Sequence, residues 1–251
     1  MKILFDAAEI KNKLELLKDV TVGFVPTMGA LHQGHISLVK KAQLENDIVV
    51  VSIFLNATQF DNKDDLKNYP STMEDDISIL DKMDIDYLFI PNYENIYPDN
   101  FVFQVEEKSF SKKLCGKSRE GHFTGMLTVV IKLLNIVNPR RAYFGEKDRQ
   151  QLLLIKGMVD AFFMNVEIIG VPTVRDNNGL AMSSRNKRLS PNGMNSAILF
   201  PALLISNKSD SEIIDELNNS GFITDYIEII DGIRYGAVFI DNVRLIDNVK
   251  I

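Results

Sequence analysis

Short apolar runs rich in β-branched residues recur along the first two-thirds of the chain, at residues 20–25, 47–55, 87–90, 142–144 and 166–171. Between them lie stretches with apolar residues at helical spacing, at residues 37–45, 73–83, 126–137 and 148–163. A parallel sheet covered on both faces needs near-continuous apolar strands joined by helical crossovers, so this alternation predicts an α/β fold built from βαβ units. The pattern changes near residue 174. A Gly/Asn/Ser/Arg-rich stretch leads to expected helices at 192–204 and 211–218, then to two runs at 226–230 and 237–243. Asp231-Gly232 and Tyr235-Gly236 read there as hairpin punctuation. Residues 1–173 are therefore expected to form the parallel-sheet unit, and residues 174–251 a small α+β unit with an antiparallel sheet.

Composition narrows the function classes. The 251 residues are 45% hydrophobic and carry 28 basic against 34 acidic groups, a net charge of −6. That apolar fraction excludes a disordered chain, and the acid surplus argues against a general nucleic-acid partner. A small anionic substrate stays open, because a pocket can differ in sign from the whole surface. One cysteine, Cys115, allows no internal disulfide and no structural zinc site. No secretory leader and no apolar run long enough to span a membrane is expected, so the reading is a cytoplasmic protein with no membrane partner.

Four clusters carry candidate chemistry. Met28-Gly29-Ala30-Leu31-His32-Gln33-Gly34-His35 follows an expected strand and opens an expected helix. A glycine turn there presents unpaired N–H groups and the positive end of the helix dipole, which suits phosphate, with Gly34 allowing close backbone approach. His32 and His35 are three apart and can face one ligand. The same residues could serve only a βα turn with surface histidines, but two of the three histidines in the chain sit here.

Asn56 and Gln59 follow the second strand, at the end where open α/β sheets bind ligands. Neutral amides both donate and accept, so these could read a hydroxyl and a carboxylate together, or simply form a polar turn. Gly145-Glu146-Lys147-Asp148 repeats the strand–turn–helix arrangement, with Lys147 placed for phosphate, Asp148 for a helix cap, ribose or metal, and Gln151 one turn on. Val174 and Met182-Ser183-Ser184-Arg185 fall in the joining segment, where Arg175, Arg185, Lys187 and Arg188 against Asp176 give a local 4 − 1 = +3. Two hydroxyls beside an arginine can clamp phosphates at a domain junction, although a surface loop could look the same. Residues 61–86 hold nine acids and three lysines. Their acid pair Asp75-Asp76 is a candidate for Mg²⁺, although such charge runs are usually solvated faces.

Taken together, Pro26 to His35, Gln59-Phe60 with Asp65-Leu66 and Tyr69-Pro70, Gly121-His122-Phe123-Thr124-Gly125, Tyr143 to Asp148 and Met182 to Asn186 resemble the pantoate–β-alanine ligase (pantothenate synthetase) family in order and spacing. The resemblance covers about residues 20 to 190 and is loose beyond. It implies a Rossmann-like parallel sheet with the His-x-Gly-His signature of nucleotidyltransferases, a short C-terminal lid, and a homodimer. The implied reaction adenylates pantoate with Mg²⁺ and ATP, and β-alanine then displaces AMP. By the same resemblance Met28 to His35, Gly145 to Asp148, Val174 and Met182 to Arg185 line the ATP site. His32, His35, Lys147 and Arg185 act on the phosphates, Gln59 and Gln151 hold pantoate, Gln59 lies near β-alanine, and Asn56 touches pantoate.

The sequence departs from the family pattern at Ala57, where proline is common, at Met182, where leucine is usual, and at Ile79, which weakens a metal role for Asp75 and Asp76. Two other readings are a related nucleotidyltransferase that acts on a phosphate, and a non-catalytic nucleotide-binding module. The second would be marked by loss of His35, Lys147 or Arg185, and all three are present.

Overall fold

All 251 residues are described by the computed structural model. Nine strands form two sheets: β1 Lys2–Leu4, β2 Val22–Thr27, β3 Ile48–Ile53, β4 Tyr87–Phe89, β5 Arg141–Gly145 and β6 Glu167–Val171 in one, and β7 Ile223–Ile230, β8 Ile233–Ile240 and β9 Val243–Lys250 in the other. The first is entirely parallel, in the order β1-β4-β3-β2-β5-β6, and the second is antiparallel, β7-β8-β9.

Alternation along the central strands feeds two cores, one on each face. Phe24, Val50 and Ala142 pack with Met126, Leu127 and Leu133 of the apolar helix His122–Val137. Val25, Val49 and Val51 pack on the opposite face with Leu38 and Leu80. Both faces are dry, which explains why these strands read as unbroken apolar runs.

The strand order fixes where a ligand can enter. From β2 the chain builds outward through β3 and β4, then returns to add β5 and β6 on the other side of β2. The loops leaving the C-terminal ends of β2 and β5 thus diverge, and a crevice opens at that switch point. Those two loops are the two strand–Gly-turn–helix motifs of the sequence.

The chain ends depart from expectation. β1 is three residues long, too short for a periodic signal, and the following helix Ala7–Glu15 is capped by Asp6, whose carboxylate accepts the Glu9 N–H at 2.8 Å. The expected helix 192–204 is two helices, Pro191–Ala197 and Leu199–Leu204, because Pro201 has no N–H to continue the ladder. Asp231-Gly232 is a hairpin turn with both φ positive, but the second turn is Asp241-Asn242, inside the run read as one strand. Tyr235-Gly236 lies within β8 instead. Gly236 is there because a Cβ would stand 2.9 Å from Leu204 Cδ2 and Phe200 Cε2.

The small sheet leans on the crevice. Asn248 of β9 donates to the carbonyls of Glu146 and Lys147 at 2.9 and 3.0 Å, and the buried Asp247 accepts from both Nη groups of Arg175 at 2.6 and 2.9 Å.

Candidate functional site

The turn after β2 is held from behind. Gly29 and Ala30 both have positive φ, +82° and +52°. The N–H groups of Ala30 and Leu31 each donate at 2.8 Å to the buried carboxylate of Asp76. The helix Gln33–Glu45 starts at His32, whose Nδ1 accepts the Gly34 N–H at 3.1 Å, while His35 Nδ1 accepts the His32 N–H at 3.3 Å. Both Nδ1 atoms must therefore carry a lone pair, which puts the ring proton on Nε2 in each. The rings lie 4.1 Å apart and neither Nε2 has a protein partner.

Burial first, and the neighbouring His35 and Lys147 next, lower His32 to about 3; burial, outweighing the opposing pull of Asp148, lowers His35 to about 4. At neutral pH the pair is thus two uncharged N–H donors aimed from one helix start. Burial and then Arg119 lower His122 likewise, to about 3. The folded values lie below the ordinary 6.5, so the unfolded chain takes up more protons and stability falls as pH drops below about 6.5. The buried His122 alone sets a slope of up to about 1.4 kcal/mol per pH unit. Chemical denaturation at pH 7 and pH 5 measures it, and an unchanged midpoint would contradict neutral buried imidazoles.

This geometry corrects the expected backbone cradle. The N–H groups of Ala30, Leu31, His32 and Gly34 all have acceptors inside the protein. Gly34 serves the His32 ring rather than a ligand, since a Cβ would meet that ring at 2.8 Å. Gly29, Ala30 and Leu31 do not line the cavity and Gln33 is exposed to solvent, whereas Met28, His32, Gly34 and His35 form its wall.

At the end of β3, Asn56 is buried and internally satisfied. Its Nδ2 donates to Gln59 Oε1 at 3.0 Å and to the Gly125 carbonyl at 3.3 Å, and its Oδ1 accepts from Tyr97 at 2.7 Å and Thr58 at 2.9 Å. Asn56 lines the inner chamber, and its amide bonds also orient Gln59. His122 supports the same turn, its Nδ1–H donating to the Gln59 carbonyl at 2.8 Å and its Nε2 facing Arg119 at 3.1 Å. Sequence reasoning does not single out Tyr97 or Arg119, and it reaches His122 only through the family resemblance. An Arg-x-x-His spacing at a glycine-started helix is the one available signal.

After β5, Lys147 Nζ lies 3.7 Å from the Asp148 carboxylate. Burial would raise the Asp148 carboxyl, but Lys147 and then Arg185 outweigh it and hold it below the usual carboxylate range. Glu146 is turned from the cleft, whereas Gly145, Lys147, Asp148 and Gln151 line it. The Gln151 amide has no protein partner.

In the joining segment Asp65 accepts from Arg185 Nη2 at 2.7 Å and Arg188 Nη1 at 2.6 Å, Arg185 lies over the Tyr69 ring, and Ser184 donates to the Tyr69 hydroxyl at 3.2 Å. Ser183 caps the short turn that follows, accepting the Arg185 N–H. Part of the acidic run is therefore the internal counter-charge of the basic loop. Asp75 and Asp76 do not pair as metal ligands: Asp75 is solvent-exposed, and both oxygens of Asp76 are taken by backbone N–H donors. No three His, Cys, Asp or Glu side chains gather into a metal cage anywhere in the chain.

Two chambers result. The inner one, about 210 Å³, is lined by His32, His35, Val174, Met182 and Ser184 and by an apolar wall of Phe54, Met126, Val129, Val130 and Leu133. The outer one, about 490 Å³, lies between the parallel sheet and β9 and contains Arg119, Arg188 and Arg244. They meet at Met28, Gln59, Lys147, Asp148, Gln151, Ser183 and Arg185.

The sequence matches the family described as Pantoate-beta-alanine ligase over residues 2–250. The pantothenate synthetase of Bdellovibrio bacteriovorus is 49% identical over 231 residues, 92% of each chain. That of Coxiella burnetii is 44% identical over 248 residues, 99% of this chain and 96% of its own. The crystal structure of pantoate-beta-alanine ligase from Francisella tularensis, complexed with beta-gamma ATP and beta-alanine, superimposes with a TM-score of 0.94 at 45% identity, covering 100% of this chain and 97% of that one. Pantothenate synthetase from Thermus thermophilus gives 0.90 at 36% identity, covering 100% and 99%.

Proposed function

The chain belongs to the pantoate–β-alanine ligase family and condenses pantoate with β-alanine at the expense of ATP, and we propose that the two chambers divide this reaction between them. In the first step a pantoate carboxylate oxygen bonds to the α-phosphorus, and the bond to the bridging oxygen breaks, releasing pyrophosphate. In the second, the β-alanine nitrogen bonds to the acyl carbon of pantoyl adenylate, AMP leaves with the C–O electron pair, and the amine loses its proton. Neither step needs a protein nucleophile. The site fits that requirement, because the Nδ1 atoms of His32 and His35 are each committed to a backbone N–H and the Nε2 of His122 to Arg119, which leaves no imidazole lone pair to activate a serine.

The observation that carries the assignment is the pair of neutral amides, Gln59 and Gln151, in a chamber that also offers an apolar wall and the charged groups of Lys147 and Arg185. The branched dimethyl carbon of pantoate suits Phe54, Met126, Val129, Val130 and Leu133, and its hydroxyl and carboxylate suit the two amides. A phosphate-bearing acceptor would call for further cations beside the amides, beyond the Lys147 and Arg185 that ATP itself needs. ATP would lie along Gly145, Val174 and Met182. The neutral Nε2–H groups of His32 and His35, Lys147 and Arg185 would stabilise charge as it moves from the α-phosphorus to pyrophosphate. Arg185 must exchange Asp65 for phosphate to do so, with Ser183 and Ser184 moving in the same loop.

Mg²⁺ is read as entering with ATP as part of the substrate, since the chain offers no preformed cage for it. Residues 174–251 are read as the lid unit and residues 1–173 as the substrate-binding unit. The same reading makes the protein a cytoplasmic homodimer, twice 28.4 kDa in solution. No helix is long and apolar enough to cross a membrane.

Pantoate labelled with ¹⁸O in its carboxylate tests the reaction. One label is expected in AMP and none in pyrophosphate; label in pyrophosphate, or in neither product, would exclude the acyl-adenylate route.

A further inference from the structure

We propose that Asp76 is a positioning residue for adenylation, acting through the His32–His35 pair, an inference that rests on the adenylation reading above. Gly29 and Ala30 place two consecutive residues in the left-handed region, and such turns aim successive N–H groups into one concavity that attracts an anion. Here the anion is the protein's own. Asp76 Oδ2 accepts from Ala30 and Oδ1 from Leu31, both at 2.8 Å, and the Thr72 hydroxyl donates to Oδ2 at 3.2 Å.

Two charge-assisted bonds to adjacent N–H groups fix the direction in which the chain leaves the turn. Ala30 has no intrinsic reason to adopt a positive φ, so the conformation depends on that grip. The packing is close as well, because a Cβ on Gly29 would lie 3.1 Å from Asp76 Oδ2. One residue after Leu31 the chain reaches His32, whose own N–H and Nδ1 lock both rings as Nε2–H donors. The carboxylate lines neither chamber, so it acts on the reacting atoms through this turn.

The test compares the wild-type enzyme with Asp76→Asn and Thr72→Val. Asn keeps the size but turns one acceptor into an NH₂ group facing an N–H. Asp76→Asn is expected to slow ATP–pyrophosphate exchange at saturating pantoate by about 10²-fold, the scale of a 1 Å misplacement. The pantoate KM is expected to stay within about twofold, because Gln59 and Gln151 are not touched. Thr72→Val, which removes only one donor, is expected to lose a few-fold.

Nitrogen-15 spectra of the imidazoles supply a readout that simple destabilisation would not move. The wild type is expected to show Nε2–H alone for His32 and His35, Asp76→Asn a mixture of tautomers, and Thr72→Val a smaller admixture that carries the test if Asp76→Asn does not fold. Exchange by Asp76→Asn within threefold of wild type, an unaltered tautomer in the variants, or recovery of Asp76→Asn by excess Mg²⁺ would each overturn the proposal, the last by making Asp76 a metal ligand. Absence of pantoate-dependent exchange in the wild type would instead sink the adenylation reading, with the tautomer measurement still deciding the role of Asp76.

Discussion

Replacing Lys147 by alanine lowers the rate of pantoate adenylation by about 10²- to 10³-fold, the scale on which single preorganised donors act on developing charge. Lys147 is the one lysine that lines either chamber, and it stands where the two meet. Its side chain is mostly buried, so its charge is poorly screened, and its one carboxylate neighbour, Asp148, lies at 3.7 Å, beyond hydrogen-bond reach, which leaves the ammonium N–H groups free for phosphate. Its main-chain carbonyl already anchors Asn248, and that bond survives the substitution. The variant should therefore melt close to wild type. His35→Ala should fall in the same range, through loss of one neutral Nε2–H donor. Single-turnover formation of pantoyl adenylate checks both, and near-normal rates in both would contradict the assigned roles.

Gly125→Ala should be almost as damaging, although Gly125 touches no substrate. It sits on the first turn of the helix His122–Val137, where a Cβ would stand 2.3 Å from the Thr58 carbonyl oxygen, 2.6 Å from its carbon and 2.8 Å from the Gln59 nitrogen. All three are backbone atoms, so no rotamer change relieves the overlap. The turn carrying Gln59 must move by about 1 Å, a shift that can cost about 10²-fold in rate. The Asn56 bond to the Gly125 carbonyl, 3.3 Å at present, lengthens with it. The expected result is a fall in kcat/KM for pantoate of about 10²-fold and a stability loss of about 1–3 kcal/mol. Gly157→Ala is the control. Nothing lies within 4 Å of its Cβ position in the helix Arg149–Ala161, and alanine there should be neutral or stabilising by about 0.5–1 kcal/mol. Equal behaviour of the two variants would refute the close-approach argument.

The parallel sheet was legible because its strands are apolar on both faces, and the two glycine turns because each follows such a strand. β1 was not legible: three residues carry no period. The second hairpin was misplaced because Asp241-Asn242 interrupts an otherwise apolar run, while Gly236 imitates a turn residue and in fact makes room for Phe200 and Leu204.

At the site, the residues that meet in the cleft could be named from spacing, whereas the partners behind them could not. Asp76 lies 46 residues from Ala30, and Asp65 lies 120 residues from Arg185. Contacts of that separation leave no local pattern. That is why a surplus of acid read as a solvated face contains the groups that pin the His-x-Gly-His turn and the basic loop. The same limit explains the backbone cradle. The sequence shows that a helix starts at His32, but not that its N–H groups are already taken.

The central claim, that the inner chamber activates pantoate by adenylation before β-alanine takes part, is tested most directly by exchange of labelled pyrophosphate into ATP. Label should move when pantoate is present and β-alanine absent, and should stay put when pantoate is omitted or replaced by an acid lacking the dimethyl carbon. Exchange that requires β-alanine, or that proceeds equally well with any carboxylic acid, would contradict it.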